Sequence, residues 1–382
     1  MMKNFLAYTV LFVVMITFLF LQSCSTEGVN PPNETPQDEY AIDDLEVSDN
    51  GEYELNMETL EGIVNGIEEG NYGNIHSLVI IQNDGLVLEE YFQGWTRHMR
   101  HPCFSVTKSF TSALIGIAIE QGYIGSVDEE LLGFFPEYDD LENPDERKES
   151  ITLEHVLSMT AGFVCDENAG IECLEGLHSS TDWIEHALEL PMASENPGTE
   201  FTYNSAATHL LSSVLAKTTG QSAAAFAEEN LFAPMGVTGW HWVTDYNGLY
   251  NTGGLFGGLH MHPVDMAMFG YLYLNNGRLN GEQIVPESWV QQSVAGNIRA
   301  YTFFEYGYLW WRYHDWYYLF WESTPPPRIN DIFHAQGFGG QFIYVIPHLD
   351  MVIVITGWDP TDPGEMINEE LFQACLGAVQ ER

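Results

Sequence analysis

Phe104-Ser105-Val106-Thr107-Lys108-Ser109-Phe110 opens a long apolar stretch that runs on to Gln121. Its composition is helical, and Gly122 stands where a helix C-cap belongs. Residues three apart on a helix share a face, so Ser105 and Lys108 are expected as neighbours. A helix start carries free N–H groups and partial positive charge. A serine there can present its oxygen to a carbonyl while its own N–H holds an oxyanion. Apolar flanks around Lys108 would disfavour the ammonium and lower its pKa, leaving an amine able to take the serine proton. The bare spacing also fits a surface lysine near a helix start. Scarcity favours the functional reading: the chain holds only Lys3, Lys108, Lys148 and Lys217.

Working outward, Ile75 to Gln82 and Leu86 to Phe92 read as strands around the turn signal Asn83-Asp84-Gly85. Helices are expected over 152–159, 205–218 and 264–276, with Gly220 closing the second and Pro263 opening the third. Gln341 to Ile346 and Met351 to Thr356 form a second hairpin, and a last helix is expected over 365–379. Strands at both ends and helices between them imply an α+β protein. Its antiparallel sheet would come from both chain ends, with a mostly helical second subdomain.

Two further stretches carry candidate chemistry. In Pro197-Gly198-Thr199-Glu200-Phe201-Thr202-Tyr203-Asn204-Ser205, a turn leads to a tyrosine just before a helix. A phenol beside a lysine ammonium would have a lowered pKa and could act as acid or base, although a lone tyrosine is commonly a packing residue. Phe333-His334-Ala335-Gln336-Gly337-Phe338-Gly339-Gly340-Gln341 is a glycine-rich turn leading into an edge-type strand. Its glycines allow close backbone approach, and one N–H there could be a second oxyanion donor. An ordinary loop between strands is the simpler reading of that stretch alone.

Together these motifs resemble the class C β-lactamase-like serine hydrolases, a family that includes D-alanyl-D-alanine carboxypeptidases, carboxylesterases and 6-aminohexanoate-dimer hydrolases. Ser105-x-x-Lys108 fits the family's S-x-x-K motif. Tyr203-Asn204-Ser205 is similar to its Tyr-x-Asn, and the run around Gly337 stands where K-T-G would be. Ile75 to Ile80 resembles the first strand. Ile151 to Met159, followed by Thr160-Ala161-Gly162, resembles the helix and turn of its T-S-G region, and the likeness spans roughly residues 52–380. The resemblance implies a β-lactamase/transpeptidase-like fold with Ser105 as nucleophile, Lys108 as base partner and Tyr203 as second proton carrier. Asn204, Ser205, His334, Gln336, Gly337 and Phe338 would line the substrate and oxyanion region. No metal or organic cofactor is implied.

There are two departures from the pattern. The amide comes at Asn204, one place early, and Ala335 stands where the K-T-G lysine belongs, with His334 beside it. That lysine helps bind a substrate carboxylate in the family. Its loss points to cleavage of a small-molecule ester or amide, nearest to the 6-aminohexanoate-dimer-hydrolase relatives. A D-Ala peptidase or β-lactamase is the alternative, and an inactive binding lipoprotein is a second. Lys217-Thr218-Thr219-Gly220 imitates K-T-G but falls at a helix end. His260-Met261-His262 with Asp265 imitates a zinc motif without a second ligand cluster. No G-x-S-x-G elbow occurs. The aromatic-dense stretch from Tyr301 to Trp321 is expected either in the core or as a wall of a cleft.

The rest of the sequence concerns location. Lys3, the apolar run from Phe5 to Leu21 and Leu21-Gln22-Ser23-Cys24 read as a lipoprotein signal, with Cys24 as the lipidated residue. An uncleaved anchor helix is the other reading. Residues 25–51 are polar and proline-bearing, a tether, and 52–382 would form the hydrolase domain. The expected place is extracytoplasmic, membrane-anchored through lipid. Export would permit a Cys165–Cys173 bridge, with Cys103 and Cys375 as buried apolar residues. Twelve basic against 55 acidic residues give a formal charge of −43, which excludes nucleic acid as a partner.

Overall fold

The computed structural model describes residues 40–48, 51–167, 172–315, 328–359 and 367–381. The expected signal, Cys24, most of the expected tether, Trp316 and Trp321 lie outside the described residues.

The backbone of the molecule is an eight-stranded antiparallel sheet. Its strands are β1 (Ile75–Gln82), β2 (Gly85–Tyr91), β3 (Ile298–Arg299), β4 (Phe304–Tyr306), β5 (Trp311–Tyr313), β6 (Phe333–Gly337), β7 (Gln341–Ile346) and β8 (Met351–Gly357). The spatial order is β2-β1-β8-β7-β6-β5-β4-β3, so the N-terminal hairpin is added to the C-terminal strands beside β8. The turn residues Asn83 and Asp84 both have positive φ, the geometry of a tight hairpin whose twist matches its strands.

Alternation along the strands sorts the side chains into two layers. Val79, Ile81, Ile343, Val345, Val352 and Val354 face one core. Against it lie helices α2 (Val106–Glu120), α3 (Ser205–Thr219) and α4 (Pro263–Leu274), all members of that core. Leu78, Ile80, Phe342, Tyr344, Ile353 and Ile355 face the other core, closed by α1 (Met57–Glu68) and α5 (Ile367–Gly377). Burial on both faces explains why β7 and β8 read as nearly continuous apolar runs. β7 is therefore an interior strand, not the edge strand expected from sequence, because β6 and β5 continue the sheet beyond it.

The folded unit begins earlier than the tether boundary implies. Tyr40 and Ile42 are buried members of the first core, and Ser48 N–H donates to Asn83 carbonyl at 2.6 Å. At least residues 40–48 of the expected tether are thus docked on the domain.

The helix carrying Ser105 and Lys108 is the buried axis of the helical layer. From Val106 to Ala118 every residue of α2 is buried, so it has no solvent face. Phe110 stacks on Phe269 of α4 at 3.8 Å between ring centroids, a contact worth about 0.5–1.5 kcal/mol beyond area burial. Gln121 caps the helix and Gly122 follows with φ +77, as the glycine's position suggested. Such a helix cannot shift without unpacking the core, and it holds its N-terminal residues rigidly.

Candidate active site

Two backbone constraints shape the start of α2. A small antiparallel sheet of His101–Pro102, Leu259–Met261 and His241–Trp242 delivers the chain to it. Cys103 N–H donates to Leu259 carbonyl at 2.7 Å and Phe104 N–H to Gly257 carbonyl at 2.8 Å. Phe104 then adopts φ +47, a left-handed conformation rarely taken by an aromatic residue, and Ser105 follows as the N-cap. Gly254 lies against this turn so closely that a Cβ would meet Phe104 carbonyl oxygen at 2.3 Å.

Ser105 is half-buried, whereas Lys108 is 1% exposed. Lys108 Nζ lies 2.9 Å from Ser105 Oγ, 2.8 Å from Ser205 Oγ and 2.6 Å from Gly253 carbonyl oxygen. Burial pushes its pKa down to about 8, and the Glu167 carboxylate opposes that fall. The amine is therefore close to its deprotonation point near neutral pH.

Tyr203 precedes α3 and is also buried. Its hydroxyl interacts with the Ser105 side chain, and Lys108 Nζ sits 4.8 Å from its ring centroid. The amine thus lies over the ring face. Burial first, and then Glu167, raise the phenol pKa, outweighing the lowering from Ser105. This corrects the expectation of a lowered phenol pKa: burial holds Tyr203 as a phenol.

Asn204 and Ser205 divide the work expected of the family's amide. Asn204 Oδ1 caps α3, accepting from Ala207 N–H at 2.9 Å. Ser205 is the residue that faces Lys108, so at this site the third position of the motif carries a hydroxyl.

Of the glycine-rich stretch, Gly337 ends β6 against the turn that leads into Ser105, where a Cβ would meet Cys103 carbonyl oxygen at 2.3 Å. Phe338 follows, its ring edge-on to Phe104 at 5.8 Å. Among the described residues, no backbone or side-chain acceptor is paired with the N–H of Ser105 or of Phe338. His334 is placed differently from the expectation. It is buried among Phe304, Tyr313, Phe342 and Tyr344, and Trp311 lies between it and Tyr203, stacked on both rings. Burial lowers its pKa to about 3, which keeps it neutral. Gln336, on the same face of β6, is its hydrogen-bond partner. Neither makes a hydrogen bond to Ser105, Lys108 or Tyr203.

The described part of the aromatic-dense stretch packs mainly in the core. Trp310 is fully buried between Tyr273, Phe269 and Phe333. The next residue, Trp311, opens β5 and packs with Phe201, Tyr301 and Tyr306 beside Tyr203.

The decoys resolve as structural. Gly220 is the left-handed C-cap of α3, and Lys217 Nζ donates to Phe134 carbonyl. His262 Nδ1 pairs with Asp265 at 3.0 Å, and among the described residues no group of three or more ligands could hold a metal. Cys103 and Cys375 are free and buried, and Cys165 is disulfide-bonded; the Cys173 side chain lies outside the described residues.

One site residue went unread in the sequence. Glu167 accepts from Ser205 twice: the Ser205 N–H donates to Oε1, and the Ser205 hydroxyl donates to Oε2 at 2.9 Å. Burial raises its carboxyl pKa. Its only local mark was a place just after Cys165, at the loop suspected of carrying a bridge.

A buried amine thus lies against a hydroxyl at a helix start, on a β-lactamase/transpeptidase-like frame of sheet and helices. The Beta-lactamase family model matches residues 75–375, and the chain belongs to that family. Three solved structures share the fold. A proposed 6-aminohexanoate-dimer hydrolase from Bacillus anthracis superposes with a TM-score of 0.64 at 23% identity, over 80% of each chain. The octameric penicillin-binding protein homologue from Pyrococcus abyssi gives 0.61 at 19% identity, over 84% of this chain and 77% of that one. EstCE1, a hydrolase with promiscuous acyltransferase activity, gives 0.66 at 16% identity, over 84% of this chain and 98% of that one.

Proposed function

We propose that the protein hydrolyses a small ester or amide through an acyl-enzyme on Ser105. The observation that carries this reading is the 2.9 Å contact between Ser105 Oγ and a fully buried amine whose pKa is about 8. In the neutral form Lys108 takes the Ser105 proton as Oγ bonds to the substrate carbonyl carbon. The carbonyl oxygen becomes an oxyanion facing the N–H groups of Ser105 and Phe338. As the bond to the leaving oxygen or nitrogen breaks, Tyr203 gives that atom a proton and the Lys108 ammonium makes good the loss. Water then attacks the acyl carbon, its proton passing to the same amine, and the bond from that carbon to Oγ breaks as Lys108 returns the proton to Ser105 Oγ, releasing the acid.

Substrate choice follows from what lines β6. Ala335 is 1% exposed where a lysine would bind a carboxylate, and the aromatic rings beside Tyr203 suit an apolar acyl group. A panel of short-chain nitrophenyl esters, linear amides, nitrocefin and a D-Ala-D-Ala peptide tests this. Ester or amide turnover is expected to exceed turnover of the carboxylate-bearing substrates. The reverse order would favour a D-Ala peptidase or β-lactamase, and no turnover with no labelling would favour a binding lipoprotein. We also propose that Cys24 carries a lipid that holds the domain outside the cytoplasm. Incorporation of labelled palmitate that survives Cys24→Ala would contradict it.

A further inference from the structure

We propose that Glu167 is a positioning residue: it fixes the Ser205 hydroxyl as an acceptor and thereby turns the lone pair of the Lys108 amine toward Ser105. This rests on the reading of Ser105 as nucleophile.

The reasoning is a count of protons at three contacts. A neutral amine has two N–H bonds and one lone pair. Lys108 Nζ faces Gly253 carbonyl at 2.6 Å, Ser205 Oγ at 2.8 Å and Ser105 Oγ at 2.9 Å. The carbonyl can only accept, so it takes one N–H. The second N–H goes to whichever hydroxyl is not offering its own proton to the amine. Ser205 has one hydroxyl proton, and the Glu167 carboxylate takes it at 2.9 Å. Ser205 therefore accepts from Lys108, and the lone pair is left for the Ser105 proton. Without that carboxylate, Ser205 could donate to the amine. Lys108 would then donate to Ser105, the wrong direction for activating it.

The carboxylate is itself held from two sides of one residue, because Ser205 N–H also donates to it at the free N-terminus of α3. Glu167 N–H in turn donates to Tyr203 carbonyl at 3.1 Å, tying the loop to the same helix start. The charged and titratable groups around it are Lys108, Asp166, Tyr203 and Tyr306. Lys108 is the only cation among these, and its charge is the one Glu167 stabilises.

The test is the pH dependence of Ser105 labelling by a fluorophosphonate, which needs no knowledge of the substrate. Glu167→Gln replaces one acceptor oxygen with an NH2 group that faces a Ser205 donor or turns its hydroxyl round. The plateau rate is expected to fall about ten- to a hundredfold. The acidic limb is expected to move to lower pH, because the carboxylate that raises the Lys108 pKa is gone. Glu167→Asp keeps the charge, so its limb should stay with the wild type while its plateau is intermediate. It also serves if the glutamine variant gives no cooperative melt. A wild-type plateau in Glu167→Gln, a lowered plateau with an unmoved limb, or a shifted limb in Glu167→Asp would overturn the proposal. A wild-type chain that does not label at Ser105 would instead sink the nucleophile reading beneath it.

Discussion

Replacing Lys108 with alanine separates catalysis from folding at this site. The amine is 1% exposed and has a pKa of about 8 against 10.5 for an ordinary lysine. At pH 7 that depression enlarges the neutral fraction by about 300-fold. Fluorophosphonate labelling of the wild type should therefore rise about tenfold per pH unit below 8 and level off above it. Lys108→Ala should lose about 10²–10⁴ in rate and should lose that limb as well. Stability should move in step. The folded chain binds this proton less tightly than the unfolded chain, so the charged lysine costs about 3 kcal/mol below pH 8. The cost disappears as pH rises from 8 through 10.5, where the unfolded chain also gives up the proton. Urea melts should thus show the wild type gaining about 3 kcal/mol on the variant across that window. A variant that labels at the wild-type rate, or keeps the limb at pH 8, would refute the assignment of the base. A stability difference flat with pH would refute the buried-amine argument.

Two further substitutions probe the neighbours. Tyr203→Phe should slow substrate turnover about a hundredfold while leaving the acidic limb in place, because the phenol stays protonated well above neutrality; loss of the limb in a kcat against pH profile would contradict that division of labour. Gly254→Ala forces a Cβ toward Phe104 carbonyl at a residue with φ +76, and should cost about 2 kcal/mol or more in a urea melt. An unchanged midpoint would mean that the turn before Ser105 is not held by that contact.

How much of this was readable without coordinates follows from distance along the chain. Ser105 and Lys108 lie three residues apart on one helix, and helical geometry alone places them together. The hairpin at Asn83-Asp84-Gly85 is announced by its turn residues, and the second by its apolar runs, Gln341 to Ile346 and Met351 to Thr356. The short strands β3, β4 and β5 are not announced, since runs of two or three residues have too little alternation to detect. Missing them made β7 look like an edge. Nearness in sequence groups His334 with Gly337, but His334 faces a nest of rings behind Trp311, while the close approach to the turn before Ser105 is made by Gly337. Glu167 had no local signature at all. It is one of 55 acidic residues, and its partner Ser205 is 38 positions away. Such a contact becomes visible only when a loop is folded back over a helix start.

The most direct measurement is the intact mass and peptide map of the protein after exposure to a fluorophosphonate. One equivalent of adduct on the peptide carrying Ser105, absent from Ser105→Ala while that variant still melts cooperatively, is the expected result. An adduct on any other residue, or one that survives Ser105→Ala, would contradict the nucleophile assignment and the chemistry built on it.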